Sequence, residues 1–332
     1  MPAQPHLTFE DFTAGDVATF GAMEVTREAI LAFARAWDPQ PFHLDDEAAK
    51  ASILGGLAAS GWHTGCILMR LNCDAWINRS ASWGGNGVEE LKWLRPVRPG
   101  DVLRARRTIV AIRASKSRPQ MGLVSLFFEL LNQDDAVMMT QRNTVMVGLR
   151  GMSPEPMAFA ARTPVAAAVA VAPLPMSGWY EDAVVGASVP IGTFTFDSDG
   201  IKAFAEQFDP QPFHLDEAAA ASSHFGGLVA SGWHTSAAFM RLFVLARQRY
   251  MDEAAAAGEK VPAPGPSPGV RNLRWPAPVR PGDSVTYTIT ATAKRPTSRP
   301  GWGLVESVNA GVNQLGEKVF EFGGAVFYQM RG

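Results

Sequence analysis

The sequence predicts an α+β fold in which two similar domains follow one another along the chain. Two observations lead to this prediction. The chain repeats itself, and each repeat contains one long apolar segment followed by several strand-like segments. A long apolar helix and an antiparallel set of strands can bury their apolar faces together when the sheet wraps round the helix. Each repeat is therefore expected to be one helix-and-sheet domain.

The repeat is closest in an eight-residue segment, Asp-Pro-Gln-Pro-Phe-His-Leu-Asp. It occupies residues 38–45 and, letter for letter, residues 209–216, an offset of 171. Shorter segments recur in the same order in both copies. They are Ser-Gly-Trp-His-Thr from Ser60 and Ser231, Met-Arg-Leu from Met69 and Met240, and Pro-Val-Arg-Pro-Gly-Asp from Pro96 and Pro278. Internal similarity of this extent indicates two copies of one domain.

The two copies define the domain organisation of the chain. Residues 1–150 are the predicted first domain and residues 177–332 the predicted second domain. The stretch 151–176, rich in Ala, Pro and Val, is the predicted linker. The second copy also carries an Ala-, Gly- and Pro-rich insertion, residues 254–269, after its apolar segment.

Local patterns predict the same elements in each copy. The spacing of Ile30, Phe33, Ala34 and Trp37 predicts an amphipathic helix, which ends where the prolines of the eight-residue segment begin. A short helix is expected over 45–51. The run from Trp62 to Trp76 has too few polar residues for a surface helix and is predicted to be buried. Strands are predicted over 102–112, 122–133 and 136–148, and over 284–293, 303–314 and 318–329.

Composition excludes several classes of protein. A chain of 332 residues with 47% hydrophobic and 19% charged residues is neither disordered nor collagenous. A net charge of −2 provides no basic field for nucleic acid. Two cysteines, Cys66 and Cys73, do not suffice for a disulfide scaffold or a Cys-rich zinc site. Without a signal-peptide pattern or an apolar run of ~18 residues, the chain is expected to be soluble and cytoplasmic, with no membrane partner.

Asp38 and His43 are the first candidate catalytic residues, and Asp209 and His214 are their counterparts. A carboxylate and an imidazole on one proline-stiffened loop can hold a single water between them for acid–base chemistry. The alternative is that the aspartate caps the local backbone and the histidine is only packed in the loop. Survival of the whole segment in two otherwise divergent copies favours the catalytic interpretation.

Gly61 and Gly232 are the second pair of candidates, because each directly precedes a predicted buried helix. The first N–H groups of a helix are unpaired and carry the positive end of the helix dipole. A glycine at this position lets a ligand oxygen approach closely. The alternative is that the glycine is required by packing of the helix against the sheet.

These motifs resemble those of the MaoC-like (R)-specific enoyl-CoA hydratases. The pattern is Asp-x-x-Pro-x-His-x-Asp with a helix-opening glycine 23 residues after the first Asp. The pattern occurs once in each copy, and the resemblance covers nearly the whole chain. The resemblance implies the hot-dog fold and the hydration of a trans-2-enoyl thioester, or the reverse dehydration of a 3-hydroxyacyl thioester. It also implies that the sheets of the two copies join edge to edge.

The resemblance assigns a role to each motif residue. The acid–base places fall to Asp38, His43, Asp209 and His214, and the backbone oxyanion places fall to Gly61 and Gly232. No metal and no redox cofactor are implied, and coenzyme A enters only as part of the substrate. Both sites are expected to be competent and to differ in the acyl chains that they tolerate.

The chain departs from the family pattern at three positions in each copy. Gln40 and Gln211 stand where the family usually has Asn, which bears on hydrogen bonding within the loop. Bulky side chains precede the aspartates, and a methionine stands where some members present a serine. The bulky side chains are Trp37 and Phe208, and the methionines are Met69 and Met240. Both of these departures bear on acyl-chain preference.

Other polar residues are weaker candidates for substrate contact. His63 and His234 could contact substrate or hydrogen-bond the neighbouring loop. His6 and His224 do not recur in register and are expected to be incidental. Four basic residues in strand-connecting loops could bind the phosphates of coenzyme A or could be solvated hairpin tips. They are Lys116, Arg118, Lys294 and Arg299.

Two other functions remain open at the sequence level. A hot-dog thioesterase would need a carboxylate on the buried helix, where the first copy offers Asp74 but the second has Leu245. A non-catalytic acyl-CoA-binding protein would bind without turnover. The sequence leaves open the acyl group, the physiological direction, and whether the double-domain chain is a monomer or a homo-oligomer.

Overall fold

The computed structural model of the chain describes residues 6–85, 87–158, 162–163, 165–172 and 177–332. The first copy contains, in chain order, β1 (Val17–Glu24), α1 (Arg27–Trp37), α2 (Pro41–Leu44), α3 (Asp46–Ala51), α4 (Gly61–Ala75), β2 (Gly87–Trp93), β3 (Val102–Ala114), β4 (Met121–Leu131) and β5 (Val137–Gly148). The second part contains β6 (Ala168–Val171), β7 (Ser188–Thr195), α5 (Ser198–Phe208), α6 (Pro212–Leu215), α7 (Glu217–Ser222), α8 (Gly232–Ala256), β8 (Gly269–Arg274), β9 (Ser284–Pro296), β10 (Trp302–Val312) and β11 (Lys318–Gln329).

The strands of both copies form one continuous sheet. The strand order is β1-β3-β4-β5-β2-β8-β11-β10-β9-β7-β6. The copies meet at β2 and β8, which pair antiparallel with Leu91 opposite Val270. The prediction that the two sheets join edge to edge within one chain is confirmed. This join pairs two strand edges that would otherwise be exposed.

The predicted buried segment is a helix in each copy, with the sheet around it. On α4, the side chains of Trp62, Cys66 and Leu68 are almost inaccessible to solvent. The N-terminal turns of α4 and α8 meet, because the rings of Trp62 and Trp233 lie 6.5 Å apart between centroids. Although α8 runs for 25 residues, none of the helices in the described part of the chain is long and apolar enough for a membrane span.

The six predicted strands all form, with boundaries within a few residues of those expected. The sequence did not indicate β1, β2, β7 and β8, which are short and weakly patterned. The loop prediction for the eight-residue segment was wrong in one detail. Residues Pro41–Leu44 and Pro212–Leu215 form one helical turn each, with proline at the first position, where its missing N–H costs nothing.

The predicted linker 151–176 lies partly outside the described residues, at 159–161, 164 and 173–176. Its described part is attached to the second copy. Ala168–Val171 forms β6, which pairs antiparallel with β7 at the sheet edge. Arg162 binds the buried carboxylate of Asp283, with 2.9 Å between Nε and Oδ1. The insertion is also partly ordered, because α8 continues to Ala256.

Candidate active site

The catalytic candidates of the first copy lie where α1 gives way to α2. The N–H of Asp38 donates to the carbonyl of Ala34 at 2.9 Å, which closes the last turn of α1. Pro41 then begins α2, and this single turn carries His43. Asp38 and His43 are both buried, with 2% and 5% of their surface exposed. The two prolines fix the short path between them.

Two side chains hold the carboxylate of Asp38. The amide of Gln40 donates to Oδ1 at 2.9 Å, and the hydroxyl of Ser60 donates to Oδ2 at 2.6 Å. The same Ser60 oxygen accepts from the N–H of Trp62 at 3.2 Å and so caps α4. One hydroxyl therefore connects the carboxylate to the start of the buried helix. Gln40, noted as a departure from the family pattern, contributes directly to this arrangement.

His43 presents an unprotonated nitrogen to Asp38 when its ring is neutral. Its Nδ1 lies 2.7 Å from the carbonyl oxygen of Ala58. Because a carbonyl can only accept, Nδ1 must carry the hydrogen, and Nε2 is then a lone-pair acceptor. Nε2 lies 3.6 Å from Oδ2 of Asp38, too far for a direct hydrogen bond. A water beside both atoms could donate one hydrogen to each.

The second copy repeats these contacts. His214 Nε2 lies 3.4 Å from Asp209 Oδ2, and His214 Nδ1 lies 2.8 Å from the carbonyl oxygen of Val229. Ser231 and Gln211 donate to Asp209 at 2.6 and 2.9 Å. Burial by itself raises the pKa of Asp209, but His214 and these two donors outweigh it and hold the pKa below its ordinary value.

The thiol of Cys73, on α4 of the first copy, also donates to Asp209 Oδ1 at 3.5 Å. Burial and the neighbouring carboxylate raise the pKa of Cys73, so the thiol stays protonated. The residue that corresponds to Cys73 in the second copy is Val244, which has no such donor.

Gly61 opens α4 as predicted, and its contacts agree with the interpretation that packing requires the glycine. A Cβ atom at Gly61 would lie 2.4 Å from the indole of Trp93, so packing against β2 excludes a side chain. The Trp93 indole also donates to the Gly61 carbonyl at 2.9 Å. The Gly61 N–H lies in the first turn, where helices leave N–H groups unpaired, and the residue lines the cavity described next.

A cavity of about 650 Å³ opens beside Asp38 and His43. The first copy contributes the catalytic candidates, Gly61 and the loop around Leu54 to its wall. Residues 93–97 of the first copy also line it, and the second copy contributes α8, the inner faces of β9, β10 and β11, and the segments 182–189 and 265–270. Those residues include Phe239, Met240, Phe243, Ile289, Val305, Ser307, Asn309, Phe322 and Val326. The cavity therefore extends from Asp38 and His43 of the first copy into the space between α8 and the sheet of the second copy.

Larger side chains stand at the corresponding positions around Asp209 and His214. Leu54 of the cavity wall corresponds in the repeat to Phe225. Likewise, Ala183 corresponds to Phe12, and Gly265 corresponds to Trp83. Asn309 and Gly324 correspond to Phe128 and Asn143. Four aromatic side chains, here called the aromatic cluster, pack together, and one of them, Phe213, contacts the ring of His214. They are Trp83, Phe213, His224 and Phe225.

His224, expected to be incidental, belongs to this cluster. Its ring lies 3.8 Å from that of Phe225 between centroids. Burial, with a smaller effect of Arg118, lowers the pKa of His224 to about 4. The residue is thus neutral near pH 7 and packs as part of the wall near the second pair.

His63 and His234 are placed differently from the expectation that they contact substrate or a loop. The ring of His63 stacks on Phe33 at 4.6 Å, its Nδ1 has no hydrogen-bond partner, and it does not line the large cavity. His234 stacks in the same way on Phe204. Burial, reinforced by the histidine of the catalytic pair, lowers the pKa of each to about 3. Both are therefore neutral members of an aromatic core.

The bulky residues that precede the aspartates do not wall the large cavity. Trp37 and Phe208 instead line a separate cavity of about 380 Å³, together with His234. Neither residue lines the large cavity, so its wall does not explain how they would bear on acyl-chain preference. Met240 of the second copy, in contrast, lines the large cavity.

The four basic residues proposed for coenzyme A do not line the large cavity. Lys116, Arg118 and Arg299 lie in strand-connecting loops as predicted. Lys294 does not, because it lies within β9 and its Nζ donates to the carbonyl of Glu181 at 3.2 Å. The basic residue that does line the cavity is Arg95, in the exposed segment after β2.

Two kinds of repeated residue, a serine and an arginine, contribute to the site although the sequence alone did not indicate a role for them. Ser60 and Ser231 begin a shared segment, and each holds an aspartate. Arg98 belongs to the shared Pro-Val-Arg-Pro-Gly-Asp segment, and its Nη1 donates to the Leu57 carbonyl at 3.1 Å. Arg98 thereby fixes the loop that carries Leu54 to the cavity wall. Recurrence in register was the available signal for all three.

The described residues contain no cluster of three His, Cys, Asp or Glu side chains suited to hold a metal ion. At the candidate site, the donor set is one carboxylate and one imidazole. The Nδ1 of that imidazole already faces a carbonyl oxygen.

Comparison with known proteins identifies the class of this chain. A family model described as the MaoC-like domain matches residues 11–125 and again residues 182–307. The fold and the paired site therefore define a tandem protein with two such domains. The chain belongs to the MaoC-like domain family.

Solved structures show the same architecture over the full length. A putative MaoC domain protein dehydratase from Chloroflexus aurantiacus J-10-fl is 16% identical, covers all of both chains and has a TM-score of 0.75. A Mycobacterium tuberculosis protein described as a double hotdog fold is 15% identical over 96% of this chain and 97% of its own, with a TM-score of 0.66. The predicted tandem hot-dog fold is confirmed.

One curated relative matches a single copy. The uncharacterized protein YdeM of Bacillus subtilis (strain 168) is 25% identical over 142 residues, which are 42% of this chain and 99% of that protein. A protein of one domain is thus similar to half of this chain, in agreement with the internal repeat.

Proposed function

We propose that this protein is a lyase that hydrates trans-2-enoyl-CoA thioesters or dehydrates the corresponding 3-hydroxyacyl-CoA thioesters. One observation carries the proposal. Asp38 Oδ2 and His43 Nε2 lie 3.6 Å apart at the wall of a largely apolar cavity that Gly61 also lines. An acid–base pair, a helix-start N–H and a space for an acyl chain are the parts that this reaction needs.

The mechanism follows from the orientation of these groups. The thioester carbonyl accepts a hydrogen bond from the Gly61 N–H, which stabilises the negative charge that develops on this oxygen in the transition state. The water held between Asp38 and His43 attacks C3 as Nε2 takes its proton. The pair then delivers a proton to C2. Water is added across the double bond, and the pair returns to its starting charge without a metal or a redox cofactor.

We assign turnover to the first pair. The cavity beside Asp38 and His43 is roomy enough for an acyl chain, whereas at the second pair Trp83, His224 and Phe225 pack behind Phe213, the neighbour of His214. Cys73 also occupies one oxygen of Asp209, a position that has no counterpart at Asp38. This assignment differs from the sequence-based expectation that both sites are competent.

The thioesterase alternative depends on Asp74, and its surroundings disfavour it. Asp74 is about half exposed and forms an ion pair with Arg70 on the same helix, at 2.8 Å between Oδ2 and Nε. It does not line the large cavity. A carboxylate that is neutralised at the surface is poorly placed to activate water against a thioester carbonyl.

The phosphates of coenzyme A need basic side chains as partners. Arg95 at the cavity wall, with Arg299 in a hairpin loop of the second copy, are the side chains that we propose for its phosphates, whereas Arg118 acts on His224 near the second pair. Arginine suits this role because its planar guanidinium binds phosphate oxygens in pairs. Lys116 and Lys294 are the weaker candidates, Lys294 because it already binds backbone carbonyls.

The test is turnover by a double variant, His43→Ala with His214→Ala. Loss of absorbance of the enoyl thioester reports hydration, and a free-thiol assay in the same samples reports thioesterase activity. General acid–base catalysis contributes ~10²–10⁴ in rate, so the folded double variant is expected to lose at least ~10²-fold. Near wild-type hydration by that variant would refute the mechanism. Binding of the thioester without turnover by the wild type would favour the non-catalytic alternative.

A further inference from the structure

The acyl part of the cavity contains a buried polar pair, Ser307 and Asn309 on β10. Both line the cavity, and only 3% of the surface of Asn309 is exposed. The Ser307 hydroxyl oxygen lies 3.1 Å from Nδ2 and 3.3 Å from Oδ1 of Asn309. Nδ2 also donates to the carbonyl of Phe322 at 3.4 Å. The pair is therefore held in place from one side and faces the cavity on the other.

An amide and a hydroxyl are unusual at these positions. Alternate residues of a strand point to the same face, and the face that covers a buried helix is normally apolar. The corresponding positions on β4 are Leu126 and Phe128. Burying polar groups beside apolar space is unfavourable unless something hydrogen-bonds them. The two side chains bind each other and the Phe322 carbonyl, and the remaining lone pairs of Ser307 Oγ and Asn309 Oδ1 are the ones that a ligand in the cavity can use.

The pair lies further along the acyl path than the reacting atoms. The ring of Trp62, next to Gly61, packs against the ring of Phe322 at 5.7 Å between centroids. Phe322 in turn stands opposite Asn309 in the β10–β11 register. In this series of contacts Phe322 lies between Trp62, at the start of α4, and Asn309.

We propose that Ser307 and Asn309 form a subsite for a neutral hydrogen-bonding group, a hydroxyl or an oxo group, on the distal part of the acyl chain. This inference rests on the proposed function. A carboxylate is disfavoured because, among the described residues that line the cavity, the one Lys or Arg is Arg95. Arg95 belongs to the first copy, beside the catalytic pair, and not to the strands around Asn309.

The test uses matched acyl-CoA pairs that differ only in a terminal hydroxyl or a terminal methyl group, over a series of chain lengths. Saturated thioesters are used for binding by calorimetry, and 2-enoyl thioesters for hydration. At the chain length that reaches the subsite, wild type is expected to bind the hydroxyl member more tightly. Asn309→Leu should reduce that preference by at least ~10-fold, since a substrate group left without its partner costs the desolvation of the site. Ser307→Ala should reduce it less.

Val308→Ala is the matched control, because Val308 lies on the same strand and points outward to solvent. Equal affinity ratios in wild type, Asn309→Leu and Ser307→Ala at every chain length would overturn the subsite. Tighter binding of a terminal carboxylate than of the hydroxyl would overturn its neutral character. The binding ratio is independent of turnover. Absence of hydration by wild type therefore counts against the proposed function, and an unchanged binding ratio counts against the subsite.

Discussion

The Nη1 atom of Arg241 donates to the carbonyl oxygen of Ala36 at 2.7 Å, a contact between α8 of the second copy and the end of α1 in the first. Asp38 follows two residues later. The pseudo-symmetric contact also exists, because Arg70 Nη1 lies 3.4 Å from the carbonyl oxygen of Gln207, the counterpart of Ala36, and donates to that of Glu206 at 2.9 Å. Each copy thus fixes the helix end that presents the candidate aspartate of the other. This contact gives a role to the repeated Met-Arg-Leu segment.

Arg241→Met is expected to lower kcat by ~10-fold or more with little change in KM. The reason is geometric, since displacing a reacting group by about 1 Å can cost ~10² in rate. Arg241→Lys keeps a donor and should recover part of the loss. Arg70→Met is the matched control at the second pair and should leave kcat close to wild type. A larger loss in Arg70→Met than in Arg241→Met would contradict the assignment of turnover to Asp38.

Acid is expected to destabilise the folded chain partly through His63 and His234. Burial lowers the pKa of each to about 3, whereas an unfolded histidine titrates near pH 6.5. Between these pH values the unfolded chain binds more protons, so the free energy of unfolding falls as the pH is lowered. His63→Phe with His234→Phe should flatten this dependence in denaturant titrations. His6→Ala, at an exposed position, is the control, and an unchanged slope in the double variant would contradict the account.

The repeat made the tandem architecture predictable, but not the asymmetry between the copies. Identical segments predicted Asp38, His43 and Gly61 together with their counterparts, and the structure brings each set together. The cavity depends on residues outside those segments, such as Gly265 and Asn309, which are remote in sequence from Asp38. Sequence spacing could not show that the space between α8 and the sheet of the second copy adjoins Asp38 and His43 of the first copy. Nor could it distinguish His63, packed on Phe33, from a ligand-binding histidine.

Activity is expected to survive EDTA and to need no added nicotinamide or flavin. At the candidate site the Nδ1 of His43 faces the Ala58 carbonyl, and both oxygens of Asp38 already accept from Gln40 and Ser60. These groups are arranged to hold a water and not to complete a metal coordination sphere. Hydration rates before and after chelation are the measurement. A loss that added divalent metal restores would show that this prediction is wrong.

Ser60→Ala is expected to lower turnover more than it lowers affinity for substrate. Ser60 donates to Asp38 at 2.6 Å and caps α4, so its loss affects both the carboxylate and the first turn that carries the Gly61 N–H. Removal of an N-cap costs ~1 kcal/mol of stability, which thermal unfolding should register. Ser231→Ala is the matched variant at the second pair and should cost similar stability without loss of turnover. Equal turnover in the two variants would count against the mechanism.

The most direct test of the central claim is the rate of enoyl-CoA hydration by Asp38→Asn and Asp209→Asn, measured separately over a panel of short, branched and long acyl chains. Both substitutions preserve side-chain size and remove the charge from chemically equivalent sites, so each is the control for the other. Asp38→Asn is expected to lose at least ~10² in kcat/KM on every substrate, and Asp209→Asn to stay close to wild type. Full activity in Asp38→Asn, or substrate-dependent losses shared between the two variants, would contradict the assignment of hydration to Asp38 and His43.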